Sequence, residues 1–331
     1  MQDDIVIPLF RLQWSTRAVY EGVCQHYAPA RLHVIAPAET AAALTRAADR
    51  ERWAVGPIHV HTEEDFFVEK HGLTKDDLAN ELRLGESLYP AGWYYQQLLK
   101  LGAADGIAEL SDWFLIWDSD LLPVETWPVI DADGRRRFAL LQDRSRGNPD
   151  IVGRWADWIG RVLGVEPITD PEATFVPHHM WFGQRHLAAM QDRVRAFVDG
   201  DLPWPAAMMR TANTFGTFSE FWAYASWVHA HAPADRLFYP YDTYGRTTER
   251  FFEDGTAIFA QRFRAARGLS ADVPLRPAYA DLLAFIHDEY NATGDPLPSS
   301  LSFEASPRHR KKGRANMHTE ELRSRWHNAE E

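Results

Sequence analysis

The stretch WFLIWDSDLLP, residues 113–123, constrains this chain more than any other. Five bulky apolar residues in a row predict a strand buried on both faces. The run ends abruptly on Asp118 and Asp120. Alternate residues of a strand share a face, so this spacing predicts two carboxylates pointing into one cleft. Carboxylates held side by side repel unless something positive sits between them. A hard divalent cation such as Mg²⁺ or Mn²⁺, carrying substrate phosphates, answers that requirement. The tripeptide alone is common on protein surfaces. Its position at the end of an apolar run, before a Leu-Leu-Pro exit, is what makes it informative.

The elements before it have a regular order. Residues 5–9 (IVIPL) and 32–36 (LHVIA) are short apolar runs rich in β-branched residues, and 58–61 (IHVH) is a third. Between them, residues 15–27 read as a helix with Ser15 or Thr16 as N-cap, and 40–50 as an Ala-rich helix. Strand, helix, strand, helix, strand predicts a parallel sheet covered on both faces. After a polar, partly helical stretch at 74–84, residues 92–101 (GWYYQQLLKL) read as a strongly apolar helix continuing to 104. Further on come a strand at 138–141 after the Asp133-Gly134 turn, a helix at 151–163, a strand at 174–182 and a helix at 185–198. The last helices fall at 219–231 and 275–290.

At 331 residues the chain has room for one large or two small domains. A formal charge of −12 argues against a general nucleic-acid binder, and one cysteine, Cys24, excludes an intrachain disulfide and fits a reducing, cytoplasmic setting. No secretory signal or membrane-spanning stretch is evident. The thirteen Trp favour carbohydrate chemistry slightly, because aromatic rings pack on pyranose faces. From residue 293 the composition turns linker-like, with Pro296, Pro298, Ser299 and Ser300. The basic cluster RHRKKGR (308–314) follows, and it predicts a flexible tail with at most a weak electrostatic contact to an anionic membrane surface.

Five motifs in series carry a resemblance. They are the strand DIVIP (4–8), GWYYQQLLK (92–100), Asp118-Ser-Asp120, FVPHHM (175–180) and FSEFWAY (218–224). Together, over roughly residues 4–245, they resemble a bacterial group of uncharacterised GT-A-type glycosyltransferases. The resemblance implies an α/β, GT-A-like (Rossmann-related) fold with a mixed, mostly parallel central sheet flanked by helices. A single transferase domain would occupy residues 1–292, with a donor half to about 125 and an acceptor half beyond, and residues 293–331 would be linker and tail. The implied activity is metal-dependent transfer of a sugar from a nucleotide-diphosphate-sugar donor to a carbohydrate or other hydroxyl acceptor, for instance in cell-surface polysaccharide synthesis.

Residue by residue, the resemblance makes Asp120 the main ligand of Mn²⁺ or Mg²⁺, with Asp118 at the metal or the donor ribose. A third ligand is expected from a later segment. His178 and His179 are adjacent on a predicted strand and face opposite sides, so only one can serve; His179 ranks first and His178 is the alternative. Glu220 is the expected catalytic carboxylate, accepting the acceptor hydroxyl's proton. Gln96, Gln97 and Lys100 are polar groups on an apolar helix, with Gln96 and Lys100 on one face at i and i+4, placed to bind the donor. Pro8, Leu9 and Arg11 follow the first strand, where ligands collect at the carboxyl ends of parallel strands. His59 and His61 share a strand face, but no acidic partner is apparent beside them.

Two other classes compete. A HAD-like phosphohydrolase would use the Asp pair as nucleophile and acid, but usually has Thr or Val where Leu122 stands. A sugar- or protein-binding module on a decayed transferase fold would not need Asp118, Asp120, His179 and Glu220 together.

Overall fold

The computed structural model describes residues 3–82, 91–140, 149–169, 178–198, 201–212, 216–240, 248–251 and 253–304. In chain order the elements are β1 (Asp4–Pro8), α1 (Thr16–Tyr27), β2 (Leu32–Ala36), α2 (Ala38–Glu51), β3 (Ile58–Thr62), α3 (Val68–His71), α4 (Lys75–Glu81), α5 (Ala91–Leu101), α6 (Ala103–Gly106) and β4 (Trp113–Trp117). There follow β5 (Leu121–Pro123), β6 (Arg136–Leu140), α7 (Pro149–Trp158) with a π-turn at Ile159–Leu163, β7 (His179–Gly183), α8 (Gln184–Val198), α9 (Trp204–Thr211) and α10 (Glu220–His231). The chain closes with β8 (Arg236–Pro240), β9 (Thr248–Phe251), α11 (Glu253–Ala266), α12 (Tyr279–Thr293) and β10 (Ser300–Phe303).

The central sheet runs β3-β2-β1-β4-β7, parallel except for β7, which lies antiparallel to β4. It is the mixed, mostly parallel α/β sheet flanked by helices that the resemblance implies, with the β1–β3 part parallel as the strand–helix pattern predicts. β1, β2 and nearly all of β4 are buried, which explains their continuous apolar reading. Asp4 is the polar exception in β1. Arg31 grips both its oxygens, and Ser111 donates to it from backbone and hydroxyl. Burial pushes the Asp4 pKa up, but these hydrogen bonds outweigh it and hold the carboxyl below its usual range.

Two smaller sheets complete the body: β5-β10-β9, and the parallel pair β6-β8. α12 closes on α1 where Gly22 leaves room, since a Cβ there would stand 2.7 Å from the Tyr279 ring. Among the described residues no helix is long and apolar enough to cross a membrane.

Two expectations are corrected and a third is met in the part that is described. Asp118 and Asp120 do not extend the strand: β4 stops at Trp117, and a tight turn, closed by Leu121 N–H donating to the Asp118 carbonyl, leads into β5. The strand predicted at 174–182 is seen as His179–Gly183, its first part lying outside the described residues. The linker-like stretch around Ser300 is instead β10, a buried strand between β5 and β9. The basic cluster at 308–314 lies outside the described residues.

Candidate metal centre

The carboxyl end of β4 gathers side chains from three parts of the chain. Asp118 and Asp120 come from the turn after β4, His178 from the residue just before β7, and Lys100 from the last turn of α5. One ligand atom from each of Asp118, Asp120 and His178 can be chosen so that all lie within 4.8 Å of one another. These three residues form a group able to hold a metal ion. His178 Nδ1 stands 3.1 Å from Asp118 Oδ2. Two adjacent ligands on an octahedral ion with bonds near 2.1 Å stand about 3 Å apart, so the pair already has that spacing.

The histidine that stands with the two carboxylates in this group is His178, the alternative, rather than the first-ranked His179. The β4–β7 register explains the reversal. His179 pairs with Trp117 across the ladder, so the two side chains share a face and stack, ring centroids 5.1 Å apart and 25° between planes. Trp127 meets the same imidazole edge-on. His178 sits one residue earlier and takes a positive φ of 64°. That conformation costs a non-glycine residue on the order of 1 kcal/mol or more and is concentrated at functional sites. The backbone is fixed there because the Asp118 N–H donates to the His178 carbonyl at 2.8 Å.

Lys100 is buried and bonds two carboxylates at once, Asp118 Oδ1 at 2.8 Å and Glu220 Oε1 at 2.7 Å, with its ammonium 4.4 Å from the Phe221 ring centre. Part of the positive charge that the Asp pair demands is thus supplied by the chain itself. Burial acts to lower the Lys100 pKa, but Asp118 and Glu220 outweigh it and raise it. Burial acts oppositely on Asp118, where the Lys100 charge and the His178 hydrogen bond prevail and hold the carboxyl well below its usual range. Gln97 joins the group, its Oε1 accepting from the Glu220 backbone N–H at the start of α10. The residues of α5 that reach Glu220 are Gln97 and Lys100, at i and i+3. Gln96 is half-buried.

Glu304, immediately after β10, was not anticipated. Its Oε1 stands 3.5 Å from His178 Nε2. The same segment fastens the turn after β4, since Phe303 N–H donates to the Asp120 carbonyl. The alternating pattern Ser300-Leu-Ser-Phe303 was the available sign of a strand there. Asp118 and Glu220 share the Lys100 ammonium, and Glu304 lies against His178 on the other side of the group.

At the end of β1, Pro8 and Leu9 are buried, and the Leu9 N–H donates to Ile35, so their side chains serve the core. Arg11 is exposed, and so is Phe10, at 69%.

The fold and site define an α/β protein with a candidate metal centre where its central strand ends. A family model matches residues 16–267, and the chain belongs to that family, described as a family of unknown function, DUF6492. No curated protein matches the sequence. Among solved structures, the chain is similar to mouse xyloside xylosyltransferase 1 in its apo form, with 10% identity over 83% of this chain and 96% of the other at a TM-score of 0.44. It is also similar to the apo form of the glycosyltransferase GlyE of Streptococcus pneumoniae TIGR4, with 9% identity over 97% of this chain and 60% of the other at a TM-score of 0.36. Both likenesses are faint and concern overall shape alone.

Proposed function

We propose that this protein is a metal-dependent glycosyltransferase with a GT-A-like fold, moving a sugar from a nucleotide-diphosphate-sugar donor to a hydroxyl acceptor. The observation that carries the reading is the convergence of Asp118, Asp120 and His178 at the carboxyl end of β4. The donor set fits the implied cation. Two carboxylates suit a hard divalent ion, and the added imidazole suits Mn²⁺ better than Mg²⁺, which prefers oxygen. When bound, such a cation supplies Lewis-acid neutralisation of the departing diphosphate.

The chain's own residues have separable roles in this reading. Lys100 holds Asp118 Oδ1 and keeps that carboxylate ionised and aimed. Gln97 and Lys100 together fix the start of α10 and hence Glu220. Glu220 Oε1 is engaged by Lys100, so receipt of the acceptor hydroxyl's proton falls to Oε2. Arg11 and Phe10, exposed at the end of β1, are placed to meet the donor's nucleotide.

A thermal-shift screen of UDP-, GDP-, CMP- and dTDP-sugars, each with Mn²⁺, Mg²⁺ or EDTA, tests the proposal, because a ligand preferring the folded state raises Tm. One nucleotide class should raise Tm with Mn²⁺, and the rise should vanish in EDTA and in Asp120→Ala. A rise that persists in both would remove the metal assignment. No rise with any donor would remove the transferase reading.

A further inference from the structure

Away from this centre, three histidines meet on the edge of the central sheet. The β2–β3 register pairs His33 with His59 and Ile35 with His61, so the three imidazoles share one face. His33 Nδ1 lies 3.1 Å from His61 Nε2, and its ring centre is 5.2 Å from that of His59. Nitrogens bound tetrahedrally to one Zn²⁺ at about 2.05 Å stand roughly 3.3 Å apart, so the His33–His61 pair is close to ligand spacing without moving the backbone.

The acidic partner missing from the sequence pattern comes from the neighbouring strand. Asp4 Oδ2 stands 3.7 Å from His33 Nε2, on the same face, since Val6 pairs with His33 and Asp4 is two residues earlier on β1. Asp4 is fully buried and anchored by Arg31 and Ser111. A carboxylate in that position favours the proton on His33 Nε2, which presents the bare Nδ1 lone pair towards His61. Metal-binding histidines are commonly oriented in this way by a carboxylate behind the ring. With that tautomer the bond between the rings runs from His61 Nε2–H to His33 Nδ1, and a metal would be held by the two facing nitrogens with the His61 proton on Nδ1 instead. His33 is buried, His61 half-buried and His59 exposed on the edge strand. His59 is thus free to swing in as a third ligand, and a fourth position faces solvent.

We propose that His33, His61 and His59 form a second metal site, oriented by Asp4, that takes a borderline transition metal such as Zn²⁺ rather than the hard cation of the Asp118 centre. Three neutral imidazoles suit Zn²⁺ and its neighbours, whereas Mg²⁺ prefers oxygen. Burial depresses the pKa of His33 and of His61, so both are neutral ligands at neutral pH.

The test is Zn²⁺ titration of the full chain, stripped with EDTA, in competition with a chromophoric chelator. Asp120→Ala is used as the background, so that the first centre does not contribute. The background protein should bind one Zn²⁺ equivalent, and His61→Asn and His59→Asn should each weaken it tenfold or more. Both substitutions fall on the edge strand β3, His59 exposed and His61 half-buried, and an unchanged Tm in EDTA would verify the fold. Loss of the Zn²⁺ equivalent in the Asp120→Ala background alone would overturn the proposal. So would Zn²⁺ binding that His59→Asn and His61→Asn both leave unchanged, since the metal would then be held adventitiously elsewhere.

Discussion

Lys100 joins two carboxylates from different elements, and its charge is what lets Asp118 and Glu220 lie close together in a largely enclosed site. Lys100→Met keeps the apolar stem against Phe221 but removes the ammonium. Breaking a buried ion pair from one side typically costs 3–5 kcal/mol because the remaining charge has no counter-ion, and we expect a loss of about that size in urea unfolding. Adding Glu220→Gln should recover part of it, because one of the two stranded charges is then gone. Full additivity of the two substitutions would mean that the network does not act as a unit. Asp120→Ala addresses the other side of the site. It should leave stability within about 1 kcal/mol, as for a substitution outside the packed core, while removing Mn²⁺-dependent stabilisation by donor. Transfer that continued at the wild-type rate in Asp120→Ala would show that the turn after β4 does not hold the metal.

The β2–β3 edge carries the clearest pH dependence. Burial, with His61 and His59 adding to it, depresses His33 from 6.5 to about 4 in spite of Asp4. The folded state therefore favours the neutral ring. Its contribution is fully present above pH 6.5 and is lost as pH falls towards 4, where the unfolded chain binds a proton that the folded one resists. Discounted for the solvent around this half-open cluster, the effect is on the order of 1–2 kcal/mol. In EDTA, an NMR titration should place the His33 midpoint near 4 while urea stability declines below pH 6.5; a midpoint near 6.5 would contradict it. β1, β2 and β4 were legible because burial on both faces leaves continuous apolar runs. The Asp118-Ser-Asp120 turn was also legible, though for a reason slightly different from strand alternation, since the side chains converge through a turn. The choice between His178 and His179 was not legible. It depends on the register of β7 against β4 and on a left-handed backbone at His178, both set by tertiary pairing. Glu220 was singled out by its motif, but its bond to Lys100 joins residues 120 positions apart, which no local pattern encodes.

The last strand ties the whole molecule to the site. β10 enters between β5, which follows the metal turn, and β9, and its end carries Phe303 and Glu304. Composition hid it, because a Pro- and Ser-rich approach reads as linker while four residues of strand are too few to outweigh it. Phe303 is fully buried, with Trp14 edge-on at 4.9 Å, Phe251 stacked at 5.5 Å and Phe259 at 5.4 Å. Phe303→Ala should cost about 3–5 kcal/mol, the usual range for a buried Phe emptied to a cavity. The loss should not stop at stability. Phe303 N–H holds the Asp120 carbonyl, and Glu304 faces His178, so loosening β10 frees the turn that carries the metal ligands. A chain ending at residue 304 keeps these contacts, and one ending at 299 loses the strand. We expect the longer chain to retain the Mn²⁺-dependent rise in Tm and the shorter one to lose it, with the shorter chain cleaved faster by protease between β4 and β5. Equal metal response from the two chains would mean that the turn after β4 is held by β4 and β7 alone, and that the carboxyl-terminal strand closes the fold without reaching the site.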